Sequence, residues 1–341
     1  MHPRKEDTPL MTHAPSNPKA PLHVIIGSGQ IGPQVAERLL ARGLRVRLVR
    51  RGATQNLPAG AEGVRADVMD PAQATEAIRG ASVVYHTANP RYHRWGEELL
   101  PLARGIVAGA QAAGARLVVL DNLYAYGVPA DGRLLETTPL APVSKKGALR
   151  AEAARFLLAA HARGDVPVTL LRPSDFVGPG VLNSQLGERF WKNLFAGKPV
   201  EVLGDPTQPH SFSYSPDVAD ALVTLAFAGD DAYGEVWHPP VLPAEPIRAW
   251  LECFAALAGV APRTQQLTPF FLRLVSLFIP EAGELPEMLY QWRSPFILDD
   301  TRFRARFGAV PTPRERVVAE TFAWAAATYG SPRRNGGAEA A

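Results

Sequence analysis

A chain of 341 residues, 46% hydrophobic and 20% charged, has the material for one large globular domain or two fused ones. A formal charge of only +3, with no dense Lys/Arg run, argues against a nucleic-acid partner. The single cysteine, Cys253, excludes an intramolecular disulfide and a cysteine-based zinc site, and no stretch approaches the ~18 apolar residues of a membrane span.

Residues 1–21 mix Arg4, Lys5, Glu6 and Asp7 with Pro3, Pro9, Pro15, Pro18 and Pro21. They read as a disordered tail and not as a signal peptide, and 331–341 read as a second tail. A cytoplasmic protein without a membrane partner is the expectation. Residues 22–26 form a short apolar strand ending in a glycine cluster. Ile31, Val35 and Leu39 follow on one helix face, with Pro33 in the first turn, where a missing N–H does no harm, and Gly43 as the stop.

Further strands are predicted at 46–49, 82–85, 117–120 and 168–171, with helices at 71–78, 97–113 and 149–161 between them. Such alternation implies parallel pairing through right-handed crossovers. The expected fold is α/β: a Rossmann doubly wound parallel sheet over 22–176, then a smaller C-terminal α+β substrate-binding portion over 177–330 whose later strands complete the sheet. That portion carries helices at 219–227, 247–258 and 315–328. Cys253, on the second of these, is expected as a buried packing thiol. An apolar run at 270–280 is short and interrupted by Arg273.

Strand, glycine loop and helix form a dinucleotide-binding context. In Gly27-Ser28-Gly29-Gln30-Ile31-Gly32, Gly27 permits the turn, Gly29 lets backbone approach a pyrophosphate, and Gly32 lets helix pack on strand. The second strand ends at Arg50-Arg51, where an NAD enzyme usually carries an acidic residue for the ribose 2′-hydroxyl. Two guanidiniums suit a 2′-phosphate, so NADP(H) is expected over NAD(H). Asp67, followed by Val68, stands at a strand end where a carboxylate can meet the adenine amino group.

These residues, with others downstream, resemble the extended short-chain dehydrogenases, the NAD-dependent epimerase/dehydratase family. The resemblance runs from about Leu22 to Trp324. It rests on His86-Thr87-Ala88-Asn89 after the fourth predicted strand, Tyr126-Gly127 after the fifth, Leu171 to Gly180 with Arg172, Pro173, Ser174, Asp175 and Phe176, and Phe212-Ser213-Tyr214-Ser215-Pro216-Asp217-Val218-Ala219. It implies that Thr87, Ala88, Asn89, Pro173, Ser174 and Phe176 border the cofactor, and that a helix-mediated homodimer is a possible assembly. The family's chemistry uses a Ser/Thr and a Tyr-x-x-x-Lys pair on one helix face. In the register from Pro142, Lys146 takes the Tyr position and Arg150 the Lys position, and Asn122 falls at the Ser/Thr position.

Catalytic candidates are therefore Lys146, Tyr124 and Asn122. Lys146 and Arg150 also count as cofactor-binding. Tyr124 lies where sugar dehydratases of the family carry an acid/base carboxylate. Tyr92, Tyr124, Asp175, Trp191 and His210 are the substrate candidates, with His93, Trp95 and Phe190 as lesser aromatic neighbours and Asp121 as a further polar group. His210 stands where sugar-nucleotide enzymes often have an Arg. His86, His93 and His210 lack metal-ligand spacing, so no metal is expected. The leading expectation is an NADP(H)-dependent oxidoreductase acting on a carbonyl or alcohol of a small organic substrate. The alternatives are an epimerase or dehydratase with tightly bound cofactor, and a non-catalytic NADP(H)-binding regulator.

Overall fold

The structure, a computed structural model, describes residues 19–53, 55–267 and 283–330. The predicted tails, apart from residues 19–21, and the apolar run at 270–280 lie outside the described residues. Strands are numbered in chain order. The central sheet takes β1 (Leu22–Ile26), β2 (Arg45–Arg50), β3 (Glu62–Arg65), β4 (Ala81–His86), β5 (Arg116–Leu120), β7 (Val168–Leu171) and β12 (Val236–Trp237). All neighbours are parallel, in the order β3-β2-β1-β4-β5-β7-β12. The predicted Rossmann sheet is present, and β12 from the C-terminal portion completes its far edge.

Alternation along the strands divides the core between the two sheet faces. Leu22, Val24 and Ile26 of β1 join one cluster and Ile25 the other. The first cluster is covered by α2 (Pro71–Ile78), α3 (Trp95–Ala113) and α4 (Lys145–Ala162) through Ile78, Ile106 and Leu157. The second is covered by α1 (Gly32–Ala41) and, later in the chain, α6 (Ser215–Ala226) through Leu39 and Leu222. Each such fully buried Leu or Ile contributes roughly 1.5–3 kcal/mol of transfer free energy.

A third core cluster belongs to the C-terminal portion, between α5 (Glu188–Phe195), α7 (Ile247–Ala258) and α9 (Arg314–Tyr329), with α8 (Thr301–Phe307) on the sheet side. Cys253 is half-buried against this third cluster, close to the predicted packing role. Short strand pairs hold the portion together and join it to the Rossmann half: β8 (Asp175–Val177) with β11 (Phe212–Tyr214), β9 (Val200–Leu203) with β14 (Thr264–Leu267), β10 (Pro209–His210) with β13 (Glu245–Pro246), and β6 (Arg133–Leu134) with β15 (Ile297–Leu298). Among the described residues, no helix is long and apolar enough to cross a membrane.

The chain runs outward through β1, β2 and β3, then returns to β4 on the other side of β1. This reversal opens a crevice at the carboxyl ends of β1 and β4, the place where open α/β sheets bind ligands.

Candidate functional site

The glycine loop closes β1 and opens α1 at that crevice. The Gly27 N–H donates to the Val49 carbonyl at 2.9 Å, and the Thr87 N–H and hydroxyl donate to the Ile26 carbonyl. Gly27 has φ +107°, and a Cβ there would lie 2.6 Å from the Ala88 nitrogen. At Gly32 a Cβ would meet the Gly27 carbonyl oxygen at 2.1 Å. At Gly29, by contrast, a Cβ would meet no protein atom within 4 Å. Two glycines are needed for packing, and the third leaves the loop's outward face to a ligand. Gln30 braces the loop from outside: its Oε1 accepts the Leu182 and Asn183 N–H groups. These residues fit a dinucleotide, whose pyrophosphate the amino end of α1 would face.

The two arginines after β2 differ. Arg51 pairs with the buried Glu98 of α3 at 3.2 Å, and Glu98 also holds Arg94 at 2.7 Å. The Arg50 guanidinium has no hydrogen-bond or ion-pair partner among the described residues. Asp67 spends Oδ1 on the Met69 N–H at 3.2 Å, and Val68 is buried behind it.

The predicted chemical residues converge from four elements. Asn122 and Tyr124 leave β5, with Asn122 Oδ1 accepting the Tyr124 N–H at 3.1 Å. The Tyr124 ring lies 6.0 Å from Trp95 and 6.4 Å from Tyr92, both from the loop and helix after β4. Burial pushes the Tyr124 hydroxyl up to about 12, Asp175 nearby pushes the same way, and a hydrogen bond from Tyr92 with the charge of Arg150 pulls back. Burial and Tyr124 together raise Tyr92 well above the ordinary phenol value.

Lys146 and Arg150 sit one turn apart on α4, both buried. The Lys146 ammonium lies 5.2 Å over the Tyr92 ring and is ion-paired with Glu284. Glu287 accepts the Lys145 and Lys146 backbone N–H groups, which together with the Ser144 side chain caps α4. Arg150 donates to Asn89 Oδ1 at 2.7 Å, stacks on Trp95 at 4.2 Å and stands 3.7 Å from Asp121, while its buried Nε has no partner. Asp121 also binds Arg172 at 2.8 Å, and Arg172 lies over the Tyr126 ring. Tyr126 in turn meets His238 at 3.0 Å. A buried polar spine therefore underlies the site. Burial holds His86 down at about 4 and His238 at about 3, so both are neutral rings.

From the C-terminal portion come Asp175 and His210, joined at 2.9 Å. Ser174 is buried and turned inward, its hydroxyl on the Ser211 carbonyl and its N–H on Ser213 Oγ, between buried Pro173 and half-buried Phe176. Trp191 stands apart. It is fully buried in the third core cluster against Phe254 at 4.6 Å, its indole N–H spent on the Leu186 carbonyl, so it packs that core and does not line the crevice. Phe190 packs beside it at 5.1 Å. His93 is exposed. No group of three His, Cys, Asp or Glu side chains is arranged for a metal among the described residues. Sequence reasoning did not find Glu284, Glu287 or Tyr290, whose buried hydroxyl has no partner.

The model of the NAD dependent epimerase/dehydratase family matches residues 24–237. The chain belongs to this family. The match runs from within β1 to the end of β12. Two curated relatives give its range. A dTDP-6-deoxy-L-talose 4-dehydrogenase (NAD(P)(+)) of Kitasatospora kifunensis is 31% identical over 49% of this chain and 56% of its own length. A 3beta-hydroxysteroid-dehydrogenase/decarboxylase isoform 2 of Arabidopsis thaliana is 22% identical over 68% of this chain and 43% of its own. The chain thus spans about half the length of these curated relatives. Among solved structures, MoeE5 with UDP-glucose and NAD aligns over 89% of this chain and 97% of its own, at TM-score 0.69 and 23% identity. A Bacillus cereus UDP-glucuronic acid 4-epimerase with UDP-glucuronic acid and NAD aligns over 90% and 100%, at TM-score 0.72 and 16% identity. At these identities the likeness establishes the shared fold.

Proposed function

We propose that this family member is an oxidoreductase that uses NADP(H) to interconvert a carbonyl and an alcohol on a small organic substrate. The observation that carries the reading is the glycine loop, with its Gly29 face open and the unpaired Arg50 guanidinium at the end of β2. Arg50 suits a 2′-phosphate because a guanidinium makes charged, two-pronged hydrogen bonds to it. Arg51 is already paired with Glu98 and ranks second. Asp67 would face the adenine. Thr87, Ala88, Asn89 and Arg150 would border the nicotinamide ribose, with Pro173, Ser174 and Phe176 behind the ring. The 31% identical relative is itself named a dehydrogenase using NAD(P).

Bound NADP(H) supplies or accepts the hydride. The chain supplies the proton. Tyr124 is the better acid of the two candidates, because the Lys146 ammonium is engaged by Glu284. A phenol held near 12 keeps its proton at neutral pH and yields it to a forming alkoxide. Asn122 supports that step: its amide N–H groups have no partner among the described residues and can donate to the substrate oxygen. Tyr92 and Asp175 frame the substrate, Lys146 holds Tyr92 in place, and His210 backs Asp175.

The test is a panel of carbonyls and alcohols with NADPH or NADP, followed by nicotinamide absorbance. Turnover that falls about 10²- to 10⁴-fold in Tyr124→Phe, with NADP affinity kept, supports the reading. No absorbance change across the panel refutes it, as does Tyr124→Phe at wild-type rate.

A further inference from the structure

His210 is 2% exposed, and its ring is fixed by stacking on Trp292 at 3.6 Å and 12°, with Phe296 near-parallel at 5.5 Å. The ring therefore has no freedom to turn away from its partners. Nδ1 faces the backbone carbonyl of Gln291 at 3.3 Å, and Nε2 faces the carboxylate of Asp175 at 2.9 Å. Both partners are acceptors. A neutral imidazole has one N–H, so it satisfies only one of them. The arrangement is complete only when the pair holds a second proton.

Asp175 is the face of this pair that meets the site. It is 25% exposed, against 2% for the His210 side chain. Its charge is felt by Tyr92, Tyr124 and Tyr290. The other charges nearby are committed: Lys146 to Glu284, Arg150 to Asp121, and Glu287 to the amino end of α4.

We propose that Asp175 and His210 form the proton store of the site, positioning residues that return a proton to Tyr124 once its hydroxyl has protonated the substrate oxygen. The proposal rests on the reading of Tyr124 as the acid. In the reducing direction bound NADPH would supply the hydride that the carbonyl carbon gains. The Tyr124 O–H bond breaks as the O–H bond of the product alcohol forms. The phenolate oxygen then takes the extra proton of the pair, leaving a neutral ring with one N–H. Solvent restores that proton at the exposed edge of Asp175. Alcohol oxidation runs the same steps backwards.

The test uses full-length protein loaded with NADP and ¹⁵N-labelled at histidine. The His210 ring is expected to lose one nitrogen-bound proton over the same pH interval in which the reduction rate falls. In Asp175→Asn that event should disappear, kcat should fall about tenfold to a hundredfold and the pH dependence of kcat should flatten, with NADP affinity kept. A ring that keeps one unchanging tautomer across the pH range overturns the proposal, as does Asp175→Asn with the wild-type pH profile. The ring's proton loss is read without a variant, and only its comparison with the rate needs substrate. Failure of the oxidoreductase reading shows separately, as cofactor binding without turnover.

Discussion

Gly29→Ala separates binding from folding at the glycine loop. A Cβ at Gly29 meets no protein atom within 4 Å, and its backbone is outside the left-handed region. The fold should accept the methyl, with stability unchanged or raised by roughly 0.4–1 kcal/mol from a less flexible unfolded chain. A pyrophosphate needs N–H groups at about 2.9 Å, whereas a methyl holds any atom off at about 3.5–4.0 Å. The displacement of at least ~0.6 Å weakens one or two charged hydrogen bonds worth about 1.5–3 kcal/mol each. That corresponds to a ten- to hundredfold or greater loss of affinity. Gly32→Ala is the contrast, because its Cβ would lie 2.1 Å from the Gly27 carbonyl oxygen and must disturb the fold itself. The assay is NADPH fluorescence titration beside a thermal melt. Gly29→Ala with wild-type affinity, or with a melting temperature as low as that of Gly32→Ala, refutes the reasoning.

Arg50→Ala should weaken NADP binding about tenfold to a hundredfold and leave NAD binding unchanged, read by calorimetric titration. Asp121→Asn leaves the buried Arg172 and Arg150 without their shared carboxylate, and should cost about 3–5 kcal/mol in a urea unfolding curve. His86 and His238 have folded values below the unfolded 6.5, so protonation favours the unfolded chain. Stability should therefore fall as pH drops below about 6.5 and continue to fall toward about 4, by on the order of 2 kcal/mol per histidine at pH 5. His86→Gln should flatten that slope in melts run at several pH values, and an equal slope in wild type and variant contradicts the burial argument.

Much of this architecture was legible because its signals are local. The glycine loop is a six-residue pattern between a strand and a helix, and Lys146 and Arg150 follow from counting along one helix. Strand β3 was missed because Glu-Gly-Val-Arg has one apolar residue and sits on a half-exposed sheet edge. The start of α4 at Lys145, and not near Leu149, comes from a cap built partly by Glu287, 142 residues away. Glu284 lies 138 residues from Lys146, so the ion pair that occupies Lys146 had no sequence signature. Trp191 misled because an aromatic after the Gly-Pro-Gly segment carries no mark of which way it points. Packing turned it into the core. The Asp175–His210 pair joins strands 35 residues apart, and its stacking on Trp292 arises only from tertiary structure.

The central claim is an NADP-directed dinucleotide site governed by Arg50. Parallel titrations of the purified chain with NADP and NAD test it most directly. The account predicts NADP tighter by about tenfold or more, a gap that closes in Arg50→Ala. Equal affinities, or tighter NAD, would contradict it.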